Sequence, residues 1–370
     1  MTDVNLPRAC RNLTCTSPPS LSLSLLFLES ESETIMGKIP LILLFFIPIV
    51  AFSLRPLSPN PCLSKPMPQT LRSDRLTVLI NGYSESRFHL LSSIAAKYSS
   101  CPSVAAVFIL WGNPKTPTET LTQFNINITG SYYVGAPISI LRQSSDSLNS
   151  RFLPRPSWIT TRAVAICDDD VEIDTKSVEF AFKIWSSHQD NLIGFFARSH
   201  DFDLRRRTWI YTVHPDKYSI VLTKFMILKT DYLYMYSCES DMNEMRNVVD
   251  RMQNCEDILM NFVIAERTKS GPILIGAEKV RDWGDARNEK RESSSSSSTE
   301  VEDKMVREVG LSSRRRDHRK RRGDCIREFH KIWGRMSLRY SYGKVVNSVG
   351  EQGLCEKGGK LVFCDEQVLF

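Results

Sequence analysis

The 370-residue chain has no CxxC pair, no cysteine at zinc-finger spacing from a histidine, no visible internal repeat, and no uncharged apolar run longer than Ile39–Leu54. The missing cysteine pairs exclude a zinc ribbon or finger, and the missing repeat excludes a solenoid array. Ten cysteines are nevertheless many for a reducing compartment. Widely spaced, they fit a few disulfides and one or two buried thiols in an oxidising one. Charge is also weak as a signal. The formal balance is +6, and much of it comes from one cluster, Arg314–Arg322 ("RRRDHRKRR"), so it describes little of the surface as a whole. What remains, 42% hydrophobic and 24% charged residues in 42.3 kDa, is the composition of an ordinary globular protein: one large domain or two small ones, with tails.

The run Ile39–Leu54 ("IPLILLFFIPIVAFSL") is bracketed by Lys38 and Arg55. It falls a little short of the roughly 20 residues that span a bilayer comfortably. No convincing small-residue cleavage site follows it, and a thin early-secretory membrane accepts its length, so residues 36–54 read as a signal anchor rather than a cleaved signal peptide. Met36 opens a tidier N-terminus than Met1, and residues 1–35 read as a disordered extension. Residues 55–74, rich in Pro and Ser, suit a stem. A globular domain is expected over 75–350 and a tail over 351–370. Within the domain, 285–317 is charged, holds six consecutive serines (Ser293–Ser298), and reads as a disordered insert.

Four apolar runs read as strands: "RLTVLI" (Arg75–Ile80), "VAAVFILW" (Val104–Trp111), "ISIL" (Ile138–Leu141) and "TRAVAIC" (Thr161–Cys167). Between them "SRFHLLSSIAAKYSS" has helical spacing. After them Thr175 is placed to cap "KSVEFAFKIWSSH". Lys217–Tyr236 reads as β-rich. Met252–Thr268 and Cys325–Met336 read as helices, the first with Asn254 as N-cap. Strands alternating with helices predict an α/β fold around a mostly parallel sheet. Ligands of such sheets bind beyond the carboxyl ends of the strands, where Asp168, Asp169 and Asp170 fall.

Hard oxygen ligands in a short run suit Mg²⁺ or Mn²⁺, ions held by one or two carboxylates together with substrate phosphates. A cation bridging a diphosphate makes a nucleoside diphosphate a better leaving group. A solvated acidic turn is the plainer alternative. A haloacid-type phosphatase is disfavoured, because Glu172 stands where Thr or Val would be needed.

An ordered series of motifs goes further: "LWGN" (Leu110–Asn113), "DSLNSRFLP" (Asp146–Pro154), "CDDDV" (Cys167–Val171), "FAFKIW" (Phe180–Trp185), "IGFFARSH" (Ile193–His200), "KYSIVL" (Lys217–Leu222), "QNCEDILMNF" (Gln253–Phe262) and "HRKRRGDC" (His318–Cys325). With them, from about Arg75 to Lys344, the chain resembles the exostosin-like glycosyltransferases of family 64. "REFHKIWGRMSLRYSYGKVV" and "EKVRDWGDARNE" point to the plant-type members, which include mannosyltransferases acting on glycosyl inositol phosphorylceramide. The resemblance implies a single-domain nucleotide-sugar-binding sheet of glycosyltransferase A type with flanking helices, and a retaining, Mn²⁺-dependent enzyme of the secretory pathway. By the same match Asp170 is the metal ligand, with Asp168 and Asp169 towards the ribose and sugar. Arg151 is at the nucleotide, with Arg87 and Asn113 near it. Asp257 is the catalytic carboxylate, with Glu256 beside it in place of an expected aspartate. Arg322 faces the diphosphate and sugar, and Cys255 is bonded to Cys325. The residues alone also admit plainer readings: Asp257 as a helix N-terminal carboxylate, Arg322 as one more charge of a basic run.

The implied partners are a nucleotide-sugar donor, a membrane glycolipid acceptor and a second copy in a homodimer. The implied location is the Golgi membrane, single-pass type II, with the catalytic domain lumenal. Nucleic-acid binding through the basic run is the rival reading, and a membrane anchor argues against it. Other rivals are a UDP-N-acetylhexosaminyltransferase of the same family and an inert secretory scaffold. Asp146 bears on the donor. Animal relatives carry Asn there and use uridine nucleotides, whereas a carboxylate accepts twice and suits the two adjacent donors of guanine. GDP-mannose is therefore the expected donor; the alternative is that Asp146 caps a local turn.

Overall fold

The computed structural model describes residues 60–63, 65–130, 135–284 and 317–347, with the backbone of 354–357 and 360–363. The expected extension and anchor, the first part of the stem and the serine insert lie outside the described residues, except for Asp317. From Pro56 onward the chain forms one compact unit.

Its strands are β1 (Arg72–Gly82), β2 (Val104–Trp111), β3 (Ile138–Arg142), β4 (Thr161–Asp168), β5 (Val171–Ile173), β6 (Ile193–Gly194), β7 (Ala197–Asp203), β8 (Thr208–Thr212), β9 (Lys217–Tyr218), β10 (Ile220–Val221), β11 (Phe225–Lys229), β12 (Ile273–Leu274), β13 (Val280–Asp282) and β14 (Ser341–Tyr342). Its helices are α1 (Phe88–Ser99), α2 (Thr118–Gly130), α3 (Thr175–Ser187), α4 (Thr230–Cys238), α5 (Asn243–Met252), α6 (Glu256–Thr268) and α7 (His318–Trp333). Seven strands form the central sheet in the order β12-β6-β11-β4-β1-β2-β3. The pairs β1–β2, β1–β4, β2–β3 and β6–β12 are parallel, and β11 runs antiparallel to both neighbours. The sheet is thus mostly parallel, as the alternating pattern predicts.

The near-continuous apolar runs follow from burial on both faces of that sheet. Along β1, Leu76, Val78 and Ile80 join one apolar cluster with α1, α2 and α3, and Leu79 joins a second with α4, α5, α6 and α7. In β4, Ala163, Ala165 and Cys167 alternate with Val164 and Ile166 in the same way.

Order along the sheet also positions the site. From β1 the chain steps outward to β2 and β3, then returns to lay β4 on the other side of β1. The β1–β4 boundary is therefore a topological switch point, the place beyond the strands' carboxyl ends where open α/β sheets bind ligands. In register, Asn81 pairs with Asp168, so the acidic run begins there.

Several local expectations need correction. Asp174, not Thr175, caps α3: its carboxylate accepts from the Ser177 amide at 3.0 Å. The expected β-rich stretch Lys217–Tyr236 holds three short strands and then turns helical as α4, burying Tyr232, Leu233 and Tyr236 on one side. The expected helix Met252–Thr268 is split. Gln253 (φ 48°) and Cys255 (φ 78°) adopt left-handed backbone between α5 and α6, and Cys255, not Asn254, occupies the N-cap. The last helix starts at His318, so the basic run's end is helical. Among the described residues two disulfides are present, Cys255–Cys325 as the resemblance implies and Cys62–Cys238, while Cys101 and Cys167 are buried thiols. Among the described residues no helix is long and apolar enough to cross a membrane.

Candidate active site

Each strand around the switch point delivers charged or polar groups just past its end. After β1 comes Arg87, buried at the start of α1; after β2 comes Asn113; β4 ends on Asp168 and is followed by Asp169 and Asp170. Arg87 pairs with Asp169, and the same nitrogen is 3.3 Å from Asp170 Oδ2. Asn113 is half-buried and shapes its own turn, accepting from the Lys115 amide at 3.0 Å.

Arg151, from the 3-10 turn Leu148–Phe152, lies 2.8 Å from Asp168 and 3.4 Å from Glu256. It therefore bridges the acidic run to the N-terminus of α6. There Asp257 accepts from Arg322 of α7 at 2.6 Å, and Arg322 also donates to Asn254 Oδ1 at 3.1 Å. The Tyr211 ring of β8 lies 4.6 Å from the Arg322 guanidinium. The Cys255–Cys325 disulfide binds the two helix starts that carry Asp257 and Arg322. Arg322 is thus turned inward and 5% exposed, unlike a solvated member of a basic run.

Burial sets the electrostatics. It works against the charges of Arg151 and Arg322, yet Glu256 and Asp168 for the first, and Asp257 and Tyr211 for the second, raise both pKa values. Burial pushes the Glu256 carboxyl up to about 7, with Arg151 opposing and Asp257 reinforcing the shift. Asp170 is also pushed up to about 7 by burial and by Asp169 and Asp168, more than Arg87 and Lys224 offset.

A second loop closes on Asp170. Its carbonyl accepts from the Trp283 amide at 2.8 Å, and a Cβ on Gly284 would lie 2.5 Å from its Oδ2, so only glycine fits there without a shift. Lys224 pairs with Asp282 beside it. These residues suit a divalent cation. The oxygen donors are hard, and Asp170 is short of positive compensation. Among the described residues no three His, Cys, Asp or Glu side chains are grouped so as to hold a metal ion by themselves.

The structure thus brings Arg87, Arg151, Asp168, Asp169, Asp170, Glu256, Asp257 and Arg322 into one network. Asn113 lies at the same edge but outside it. Asp146 also stays outside, exposed in the loop after β3. The neighbouring Ser147, not Asp146, caps the following turn by accepting from the Asn149 amide at 3.1 Å. Sequence reasoning missed Tyr211, Lys224, Asp282 and Gly284 as members of the site. Asp282 and Gly284 lie in "VRDWGD", where the glycine beside charged residues was a usable signal; for Tyr211 and Lys224 there was none.

Comparison with known proteins agrees with this architecture. A glycosyl transferase family 64 domain profile matches residues 76–350. The chain is 62% identical over 311 residues, 83% of its length and 91% of the relative's, to glycosyltransferase family protein 64 C3 of Arabidopsis thaliana. It is 39% identical to exostosin-1 of Papio anubis over 144 residues, 39% of this chain and 19% of the relative. It is 28% identical to glucosamine inositolphosphorylceramide transferase 1 of Arabidopsis thaliana over 262 residues, 70% of this chain and 30% of the relative. The matches to the last two thus span less than a third of those proteins. With the profile covering most of the chain and the first relative covered almost end to end, the chain belongs to glycosyltransferase family 64 and is a glycosyltransferase.

Proposed function

We propose that the enzyme is a retaining, metal-dependent transferase of glycosyltransferase A type that moves mannose from GDP-mannose to a glycosyl inositol phosphorylceramide headgroup. The observation that carries the reading is the continuous alternation of charge at the switch point: Arg87 on Asp169 and Asp170, Arg151 between Asp168 and Glu256, Arg322 on Asp257. Such an array holds a substrate that is itself doubly charged and loses a diphosphate. Asp170 would hold Mn²⁺, with Asp168 and Asp169 towards the ribose and sugar. When bound, the cation neutralises charge on the diphosphate and eases its departure. Arg322 directs fixed N–H donors at the same developing charge, in a buried place where they count for more than in water. Asp257, held by Arg322 at the first turn of α6, offers a carboxylate to the positive charge that grows on the sugar ring.

The donor assignment rests on Asp146. Its exposed carboxylate takes no hydrogen bond from a described residue and accepts twice, which suits guanine. The acceptor assignment draws on the relative named for inositolphosphorylceramide. That relative's name also contains glucosamine, which favours a second reading, transfer of an N-acetylhexosamine from a UDP-sugar. The proposed location is the Golgi membrane, type II, with the domain lumenal; a homodimer belongs to the same proposal.

The test is transfer by the full chain, with Mn²⁺, from a panel of sugar nucleotides to an inositol phosphorylceramide glycolipid. Mannose transfer with retained anomeric configuration is expected, and Asp170→Asn should abolish it in a folded protein. Turnover of UDP-N-acetylglucosamine with none of GDP-mannose would establish the second reading instead.

A further inference from the structure

Three adjacent arginines, Arg205, Arg206 and Arg207, stand exposed at the tip of the β7–β8 hairpin. Beside them Leu204 is 82% exposed and Phe202, two residues back, 39%. The turn is well formed. Asp203 Oδ1 accepts from the amides of Arg205 and Arg206, both at 3.0 Å, and Arg207 closes it with left-handed backbone (φ 48°). The Asp203 carboxylate lies 3.7 Å from Arg206 Nε and so offsets part of the charge, leaving the tip cationic. At the hairpin's base Phe202 packs edge-on against Trp209, with ring centroids 5.0 Å apart. No polar group of the described residues explains an exposed leucine among three arginines.

The hairpin is continuous with the candidate active site. Tyr211, on β8, lies under Arg322. Helix α7 then follows β8 towards the tip, with Arg327 donating to the Trp209 carbonyl at 3.2 Å and His330 5.7 Å from the Trp209 ring. Arg207 is four residues from Tyr211 along an extended strand, about 13 Å. The tip therefore stands on the order of 13 Å along the strand from the residue that Arg322 covers. A transferase whose acceptor sugar is fixed to a lipid must bring its site that close to a bilayer.

The geometry points to the β7–β8 tip as a membrane-docking finger: Leu204 and Phe202 enter the headgroup boundary and Arg205–Arg207 hold anionic phosphates, so that the site faces acceptors embedded in the surface. Basic residues next to exposed apolar ones are what such a surface attracts. The inference rests on the lipid-acceptor reading, and its test separates the two. The full chain is bound to vesicles of phosphatidylcholine alone and of phosphatidylcholine with about a fifth phosphatidylinositol, whose anionic inositol phosphate is the chemistry of the proposed lumenal acceptor. The apolar run Ile39–Leu54 with its flanking Lys38 and Arg55 contributes equally in every variant, so the quantity read is the change in the ratio of affinities from the unmodified chain. Arg205→Gln with Arg206→Gln should lower that ratio by about thirtyfold. Leu204→Ser should weaken binding to both vesicles without changing hydrolysis of the sugar nucleotide in solution. An unchanged ratio in the double arginine variant overturns the proposal. So does a ratio lost only on Arg319→Gln with Lys320→Gln, at the other end of the α7 ledge. Vesicle preference without transfer to any lipid would sink the acceptor reading and leave the finger standing.

Discussion

Removing the Arg322 guanidinium would leave Asp257 buried without its cation, beside the Tyr211 ring. Breaking a buried pair from one side costs about 3–5 kcal/mol, because the surviving charge keeps its desolvation penalty. Arg322→Ala should therefore lower stability by that order and abolish transfer. Arg322→Ala with Asp257→Ala should recover part of the stability and none of the activity, as read by denaturant melts and turnover. A second residue-scale expectation concerns His200, which is buried, meets Ser219 Oγ at 2.7 Å and stacks on Tyr340. Burial lowers its pKa to about 4; Asp201 pulls the other way, and Lys217 and Arg339 add to the lowering. Since the unfolded chain takes a proton near pH 6.5 and the folded one only near 4, the contribution is complete above 6.5 and is lost as pH falls towards 4. It amounts to at most about 3 kcal/mol. His200→Phe should flatten the stability profile between those values relative to the unmodified protein; an identical slope in both proteins would refute it. The aspartate run was legible from its place at the end of an apolar strand, whereas Asp257 in "NCED" and Arg322 in "RRGDC" were legible only through the family resemblance, since by themselves they read as a helix N-terminal carboxylate and one more basic charge. Tyr211 and Lys224 were not, since a tyrosine in a strand and a lysine between strands carry no mark of what will pack against them across the fold.

At the scale of elements, the sheet strands were legible because burial on both faces leaves little in them but apolar residues, as in β1 and β4. α4 was not. Its sequence "TDYLYMYSC" is rich in aromatic residues that usually favour strands, and packing against the sheet made it helical despite them. The α5–α6 break was hidden for a related reason. Apolar spacing runs on through Gln253–Cys255, and the two left-handed residues there are held by tertiary ties: the disulfide of Cys255 and the contact from Arg322 to Asn254. Those ties make the bridges unequal. Cys255–Cys325 spans 70 residues and Cys62–Cys238 spans 176, for which the chain-entropy model gives roughly 4 and 5 kcal/mol. Cys62–Cys238 ties the segment before β1 to α4, next to the Lys65–Asp231 pair at 3.0 Å. Replacing both cysteines of each pair by serine should lower thermal stability in both variants. Transfer should collapse only without Cys255–Cys325, which holds Asp257 against Arg322. Equal losses of turnover at matched folded fraction would show that the bridge does not position the site.

For the whole molecule, the mostly parallel sheet followed from strand and helix alternation, while reversal of β11 had no local signature, because an apolar strand reads the same in either direction. The strand order matters more for function than that reversal. Placing β4 on the far side of β1 brings the loops after β1, β2 and β4 together with the α6 and α7 starts, the place where a ligand is proposed to bind. Ligand binding there should consequently stabilise the unit as a whole. A ligand bound only by the folded state at a hundred times its dissociation constant adds about 2.7 kcal/mol. For a unit of this size that corresponds to a melting shift of about 5 °C. If Asp146 accepts from the guanine edge, GDP with Mn²⁺ should raise the melting temperature more than UDP with Mn²⁺ at equal concentration. Asp146→Asn should shrink the difference, since an amide offers one acceptor and one donor side where guanine presents two donors. Omitting the cation should shrink both shifts in the unmodified protein, and Asp170→Asn should make both nucleotides insensitive to it. A UDP shift equal to or larger than that of GDP, or a GDP preference undiminished in Asp146→Asn, would assign the donor base to other residues and favour the hexosamine reading.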